Sequence, residues 1–318
     1  VGKPSPAIDL KVIDHADATA QRWLAASPLM MIGAGDGASI TATIAGGAPG
    51  FAHADGKLLD IPAELIDAPE ALRPGAGFGS LFLVPGIGET LRINGTIASV
   101  DTVVRVAIDE CYVHCAKALI RSDFWKAEPI GVVPDDAEGF TAASRFMALA
   151  TIDPQARADV SPKGDPAAML ASLGGHMLRF PDRPGNRRTD SFRNIIAQPQ
   201  IAAALLIPGS CQVATLTGRA TLTTDAAELA PFAVQGKQPL VVARVEDLAI
   251  TIAPSPALQR AALWPAAAAP ADISPARMLN EHLRFNRSKG IGARITSAIA
   301  TPGMIQKGLD QDYKTNLY

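Results

Sequence analysis

Leu83-Val84-Pro85-Gly86 and Leu206-Ile207-Pro208-Gly209 are two versions of one stretch, met once in each half of the chain. Nine residues after each glycine stands another: Gly95 in Ile93-Asn94-Gly95-Thr96 and Gly218 in Leu216-Thr217-Gly218-Arg219. The flanking residues read as alternating strands joined at a Pro-Gly turn, because proline presets φ and glycine accepts the positive φ of a tight turn. Further out, Val103-Val104-Arg105-Val106 matches Val242-Ala243-Arg244-Val245. Ala118-Leu119-Ile120-Arg121 and Trp125 match Ala257-Leu258-Gln259-Arg260 and Trp264. Upstream, Arg22-Trp23-Leu24-Ala25 resembles Arg145-Phe146-Met147-Ala148. The halves are expected to be divergent copies of about 125 and about 140 residues, each the size of one small domain. Residues 1–128 would form the first, 129–139 a short linker, 140–265 the second, and 266–318 a partly helical extension. Each half reads as short strands, so the expected fold is mainly β, a β-barrel with a few helices, doubled.

The 318-residue chain is 48% hydrophobic and 19% charged, enough to bury two cores. A net charge of −2 gives no basic excess for nucleic acid or an anionic membrane, so any anion site must be a local cluster. Cys111, Cys115 and Cys211 are too few for a disulfide scaffold in so long a chain, and a reducing cytoplasm is the expected compartment. Val1 to Lys11 lacks the pattern of a secretory signal, and the apolar runs are broken too often by Gly, Pro and charge to span a membrane. A small molecule is the expected partner.

Four segments carry chemistry. The densest runs from Phe180 to Asn194, with Arg183, Arg187, Arg188 and Arg193 beside a helix expected over Phe192 to Ala197, behind Asp190 and Ser191 as caps. Guanidinium forks suit phosphate oxygens and a helix start adds N–H donors, so this is either a phosphate pocket or a solvated basic loop. Asp159-Val160-Ser161-Pro162-Lys163-Gly164-Asp165-Pro166 reads as a turn interrupting a strand, with Lys163 facing water or reaching an anion. In Gly88-Glu89-Thr90-Leu91-Arg92-Ile93-Asn94-Gly95, period 2 places Thr90, Arg92 and Asn94 on one strand face, a solvent face or a site wall. Cys111-Tyr112-Val113-His114-Cys115-Ala116-Lys117-Ala118 raises the question of zinc, but no second cluster completes four ligands and no metal is expected. The cysteines read as small buried hydrophobes, leaving His114, Lys117 and Arg121 as candidate polar groups. Gly33-Ala34-Gly35-Asp36-Gly37 lacks the setting of a dinucleotide loop and reads as a hairpin turn. Ala261 to Pro275 reads as an extended connector, Ala276 to Phe285 as a helix, and the tail ends in Asp312-Tyr313-Lys314-Thr315-Asn316-Leu317-Tyr318.

With these segments together, the chain resembles the pyridoxamine 5′-phosphate oxidase-like flavoproteins. More narrowly, it is similar to a bacterial branch that carries DVSPKGDP, PDRPGNRR, ETLR-NG and HCAKA segments in one domain. The likeness covers most of residues 140–210 and 80–126. It implies a split β-barrel that dimerises with FMN at the interface, touched by both subunits; here, two tandem FMN-binding split barrels would form a pseudo-dimer. By the resemblance, the FMN phosphate falls on Arg187 and Arg188. The segment lining the flavin falls on Ala158 to Lys163, including Asp159, Val160 and Ser161, and the strand pair beside the ring on Pro181 and Asp182, next to Arg183. The partner subunit's share falls on Glu89, Thr90 and Arg92, and on His114 to Arg121, where His114, Lys117 and Arg121 are candidates for binding substrate.

The motifs are divided between the halves. The second keeps DVSPKGDP and the arginines, but its counterparts of ETLRING and HCAKA are Gln212-Val213-Ala214-Thr215-Leu216-Thr217-Gly218 and Ala253-Pro254-Ser255-Pro256-Ala257, stripped of charge. The first keeps those two but has the Gly46-Gly47 region in place of Lys163, and the acidic Ile61 to Asp67 in place of the arginines. The expectation is one composite FMN site per chain, in an FMN-dependent oxidoreductase of unknown substrate with no nameable acid or base. The alternatives are a non-catalytic module holding flavin or haem for storage or sensing, and a fused barrel whose cofactor site has decayed. The chain would be a monomer with an internal pseudo-dimer, a further homodimer being left open.

Overall fold

The computed structural model describes residues 11–185, 189–286 and 301–318. The first half contributes β1 (Leu29–Gly35), β2 (Ile40–Gly46), β3 (His53–Asp55), β4 (Leu58–Pro62), β5 (Gly77–Leu83), β6 (Thr90–Val100) and β7 (Val103–His114). The second contributes β8 (Phe146–Ile152), β9 (Ala158–Gly164), β10 (Ser172–Gly174), β11 (Met177–Pro181), β12 (Gln200–Leu206), β13 (Gln212–Thr223) and β14 (Val242–Pro254). The first sheet runs β2-β1-β5-β6-β7-β4-β3 and the second β9-β8-β12-β13-β14-β11-β10, the same antiparallel order twice. The molecule is mainly β, two split barrels in tandem.

The repeated glycines have a backbone reason. Gly86 and Gly209, in the β5–β6 and β12–β13 turns, sit at φ +76° and +100°, where a side chain would be strained. Gly95 and Gly218 stand at register shifts in the long hairpins β6–β7 and β13–β14. Such a bulge bends the strand and lets a sheet curl.

The central strands are buried on both faces. In β1, Met30 and Ile32 join the interior of the first barrel while Leu29 and Met31 face the other half. In β8, Met147 and Leu149 point into the second barrel while Phe146, Ala148 and Ala150 face the first. Two barrel cores thus flank a third apolar layer, where Leu81, Leu83, Phe124, Ala204 and Leu206 also meet. Burial on both faces explains why these strands read as unbroken apolar runs.

The halves meet around a local pseudo-twofold. The ends of β2 and β9, Gly46 and Gly164, each lie against the other half: a Cβ there would come 2.3 Å from Ala257 O and 2.0 Å from Ala118 O. Arg260 donates to Gly46 O at 2.8 Å and to Leu65 O at 2.9 Å. Arg121 donates to Gly164 O at 2.8 Å and to Pro184 O at 3.0 Å. Reciprocal contacts of this kind characterise an isologous interface.

Some local expectations change. Arg22 to Ala25 lies in the helix Ala18–Ala26, whereas Arg145 to Ala148 enters β8; the true counterpart of Phe146 is Leu29, by its pairing with Leu83 where Phe146 pairs with Leu206. A short apolar run beside an arginine suits either element. Asp159 to Gly164 is not an interruption but β9 itself, an edge strand where Pro162 is tolerated. The helix after the arginines begins at Asp190, with no side-chain cap from Thr189. The helix Ala137–Ala143, capped by Asp136, begins inside the stretch read as the linker. The hairpin at Asp36 forms as expected, its carboxylate accepting from Ala38 and Ser39 N–H, and the extension helix Pro275–Phe285 is capped by Ser274. No helix among the described residues is long and apolar enough to cross a membrane.

Candidate functional site

A cavity of about 350 Å3 opens between the halves. The first half supplies His114, Cys115, Lys117 and Arg121. The second supplies Ser161, Lys163 and Asp165 around β9, the Pro181–Gly185 loop, and Ser191 and Phe192 at the start of the helix Asp190–Ala197. Of the residues singled out in the sequence, Ser161, Lys163, Pro181, Asp182, Arg183, His114, Lys117 and Arg121 line this one cavity. Arg187 and Arg188 lie outside the described residues.

Arg92 is fully buried and ties the halves together. It donates to Asp159 Oδ1 at 2.6 Å, to the Tyr112 hydroxyl at 2.8 Å, and to Val160 O. From Asp159 a relay of hydroxyls leads to the cleft: Ser161 donates to Asp159 Oδ2 at 3.1 Å, and Ser191 to Ser161 at 2.7 Å. The Val160 side chain instead packs in the apolar layer between the halves. The polar face of Thr90, Arg92 and Asn94 is therefore interior, and not the solvent face it resembles.

Lys163 Nζ lies 3.6 Å from Asp182 Oδ1 and 5.4 Å from the Phe192 ring centroid. Arg183 donates to Asp165 Oδ2 at 2.7 Å and to Phe232 O at 2.8 Å. Burial pushes the Asp165 carboxyl above its ordinary range, against the opposing pull of Arg183 and Arg121. Burial also raises Glu89, which accepts from the Tyr313 hydroxyl at 2.9 Å. Cys111 is buried, Cys115 half-buried and Cys211 exposed. Among the described residues no His, Cys, Asp and Glu group could hold a metal ion.

Residues 133–258 match the family model described as pyridoxamine 5′-phosphate oxidase. The match spans most of the second half, which is similar to that family. The first half repeats its strand order, so the oxidase-like fold occurs twice in the chain. Among solved structures, HupZ from Group A Streptococcus is similar at 14% identity, over 39% of this chain and 98% of that one, with a TM-score of 0.31. An F420 reductase is similar at 20% identity, over 37% and 98%, with a TM-score of 0.29. General Stress Protein 26 from Bacillus anthracis str. Sterne is similar at 13% identity, over 35% and 89%, with a TM-score of 0.27. A search of curated proteins finds no significant match.

The tail also reaches this cleft, a contribution that no sequence motif announces. Asp312, Tyr313 and Tyr318 reach Lys117, Glu89 and the pair Arg121 and Arg183. The one signal was composition: of three tyrosines in the chain, two fall in its last six residues.

A second cleft, of about 380 Å3, lies at the pseudo-equivalent position. Thr41, Thr43, Thr215, Thr217 and Thr251 line it, with Ala249, Ala253 and Asp67. By ladder register, Thr41 and Thr43 stand where β9 has Asp159 and Ser161, and Ala45 (one residue before the glycine pair expected there) where β9 has Lys163. Thr215, Thr251 and Ala253 replace Arg92, Tyr112 and His114. Asp67 is occupied in capping a helix, accepting from Ser255 Oγ at 2.5 Å and Ala257 N–H at 2.8 Å.

Proposed function

We propose that this chain is an FMN-binding flavoprotein with a single composite flavin site in the cationic cleft, and that it works as an FMN-dependent oxidoreductase. The observation that carries the reading is the asymmetry of two equivalent clefts: one draws charged and hydroxyl groups from both halves, the other holds threonine and alanine at the same registers.

The residues present fit a flavin. The cavity has the size of a small-ligand site. The Lys163 ammonium suits the carbonyl and ring-nitrogen acceptors of such a ring, and the Ser161 and Ser191 hydroxyls, whose protons go to Asp159 and Ser161, offer lone pairs to a ring N–H. Thr90 Oγ1 is buried and has no protein partner among the described residues, although a buried hydroxyl left unmatched is costly. It pairs with His114 across the ladder, at the first-half wall of the cleft. Arg187 and Arg188 would hold the phosphate just ahead of the helix Asp190–Ala197, whose free N–H groups favour an anion. Asp159, Pro181, Asp182 and Arg183, with Glu89 and Arg92, would shape the pocket: Arg92 fixes β9 against the first half, and Arg121 pins the Gly164 and Pro184 carbonyls. When bound, the flavin supplies the electron-transfer chemistry, and the chain supplies binding, orientation and electrostatics.

Titration of the purified chain with FMN tests the stoichiometry. One FMN per chain is expected; two, or none, would sink the reading. Changing Arg187 and Arg188 together to Ala should abolish flavin binding, and unchanged affinity would refute the phosphate assignment. Bleaching of the bound flavin by a reduced nicotinamide cofactor separates an oxidoreductase from a store.

A further inference from the structure

The last helix, Pro302–Thr315, and the three residues after it touch both halves beside the cavity. On the first-half side, Lys117 Nζ lies 2.8 Å from Asp312 Oδ2, and Arg121 donates to Leu317 O at 2.9 Å. The Tyr313 hydroxyl donates to Glu89 and accepts from Ala116 N–H at 3.2 Å. On the second-half side, the Arg183 guanidinium stands 5.6 Å from the Tyr318 ring centroid, with Arg121 at 5.9 Å, and Lys237 donates to Tyr318 O at 2.9 Å. Lys117, Arg121 and Arg183 all line the cavity, and their side chains are 3%, 5% and 6% exposed.

We propose that this tail is a strap that closes the cationic cleft over its ligand, with Tyr318 as the latch between Arg121 and Arg183. The identity of the ligand rests on the flavin reading; the strap itself does not. Charge pairs and ring contacts to cations this well shielded from water hold more strongly than their surface counterparts. They are also few and carried by one segment, so the strap can release without disturbing either barrel core. A closed strap excludes water and slows escape of a bound molecule. At the other cleft, Pro256, Arg260 and Glu64 stand in the places of Lys117, Arg121 and Arg183, and all three are exposed.

The test uses the full chain with Tyr318→Ala, and Asp312→Asn as a milder variant at a half-exposed position. FMN release is followed by flavin fluorescence after rapid dilution. Release should be about tenfold faster in Tyr318→Ala and a few-fold faster in Asp312→Asn. Unchanged release in both variants, with FMN still bound, overturns the strap and leaves the flavin reading intact. Tighter binding in the variants also overturns it, since the tail would then be a competitor. Should the wild-type chain bind no FMN, the flavin reading fails by itself, and tryptic cleavage after Lys314 decides the strap. Cleavage about tenfold faster in Tyr318→Ala supports the latch; equal rates overturn it.

Discussion

The cationic cleft and the threonine-lined cleft are built by the same strands in the same registers, and they are nearly equal in volume, about 350 and about 380 Å3. A cleft is what two such barrels leave when they meet; its chemistry is a separate matter, set by a handful of side chains on its rim. In the first, Ser161 and Lys163 line the cleft and the buried Arg92–Asp159 pair stands behind them. In the second, Thr215, Thr41, Thr43 and Ala45 occupy those positions. A symmetric homodimer could not make this difference, because every substitution would appear in both of its clefts. The charges must therefore be worth something that the threonines are not.

The largest expected effect probes that contrast directly. Arg92→Ala leaves Asp159 as an uncompensated buried charge between the halves and should cost about 3–5 kcal/mol. Its mirror, Thr215→Ala, should cost under about 1 kcal/mol. Urea denaturation measures both, and equal losses would remove the energetic distinction between the clefts. Replacing Arg92 and Asp159 together by Thr, the residues of the mirror cleft, should recover much of the loss; no recovery would mean that the pair does more than satisfy itself.

A second effect tests the one-sidedness of the extension. His282, on the helix Pro275–Phe285, stands 3.5 Å from Asp17, the cap of the first-half helix. Burial works to raise the Asp17 carboxyl, but the bonds from His282, Ala20 and Thr19 outweigh it and hold it at about 2. A lowered carboxylate contributes stability that is complete above its ordinary value and is lost as pH falls toward the folded one. Between pH 4.5 and 2, up to about 2 kcal/mol should disappear in the wild type and not in Asp17→Asn; parallel pH profiles would break the assignment.

The smallest effect compares the two arginine clamps. Arg121→Lys loses donors to Gly164 and Pro184 in a buried setting and should cost about 1–2 kcal/mol, while Arg260→Lys, at an exposed position, should cost under about 1 kcal/mol. Thermal unfolding distinguishes them, and a reversed order would contradict the geometry.

Much of this was legible in the chain. The Pro-Gly turns and the paired Gly95 and Gly218 are backbone requirements, so they persist as letters after most side chains have diverged. The Val103 to Val106 match survives as paired positions in β7 and β14. The Arg22 match failed because a four-residue run carries no periodicity that separates helix from strand. Pro and Gly punctuate the segment of Lys163 and give it the look of a turn, and only the sheet reveals that β9 is an edge where proline is harmless. The cleft walls were found because their residues cluster in sequence. The tail was not, because Tyr313 meets Glu89 across 224 positions, and no local pattern announces such a contact.

The covalent join between the barrels has its own consequence. In a two-chain protein with such a cleft between its subunits, each site exists only while subunits stay together, so dilution dismantles it. Here the wall carrying Lys117 and the wall carrying Lys163 belong to one molecule, and their encounter is intramolecular. The site is as complete at nanomolar protein as at millimolar, and its abundance follows the number of chains rather than the square of their concentration.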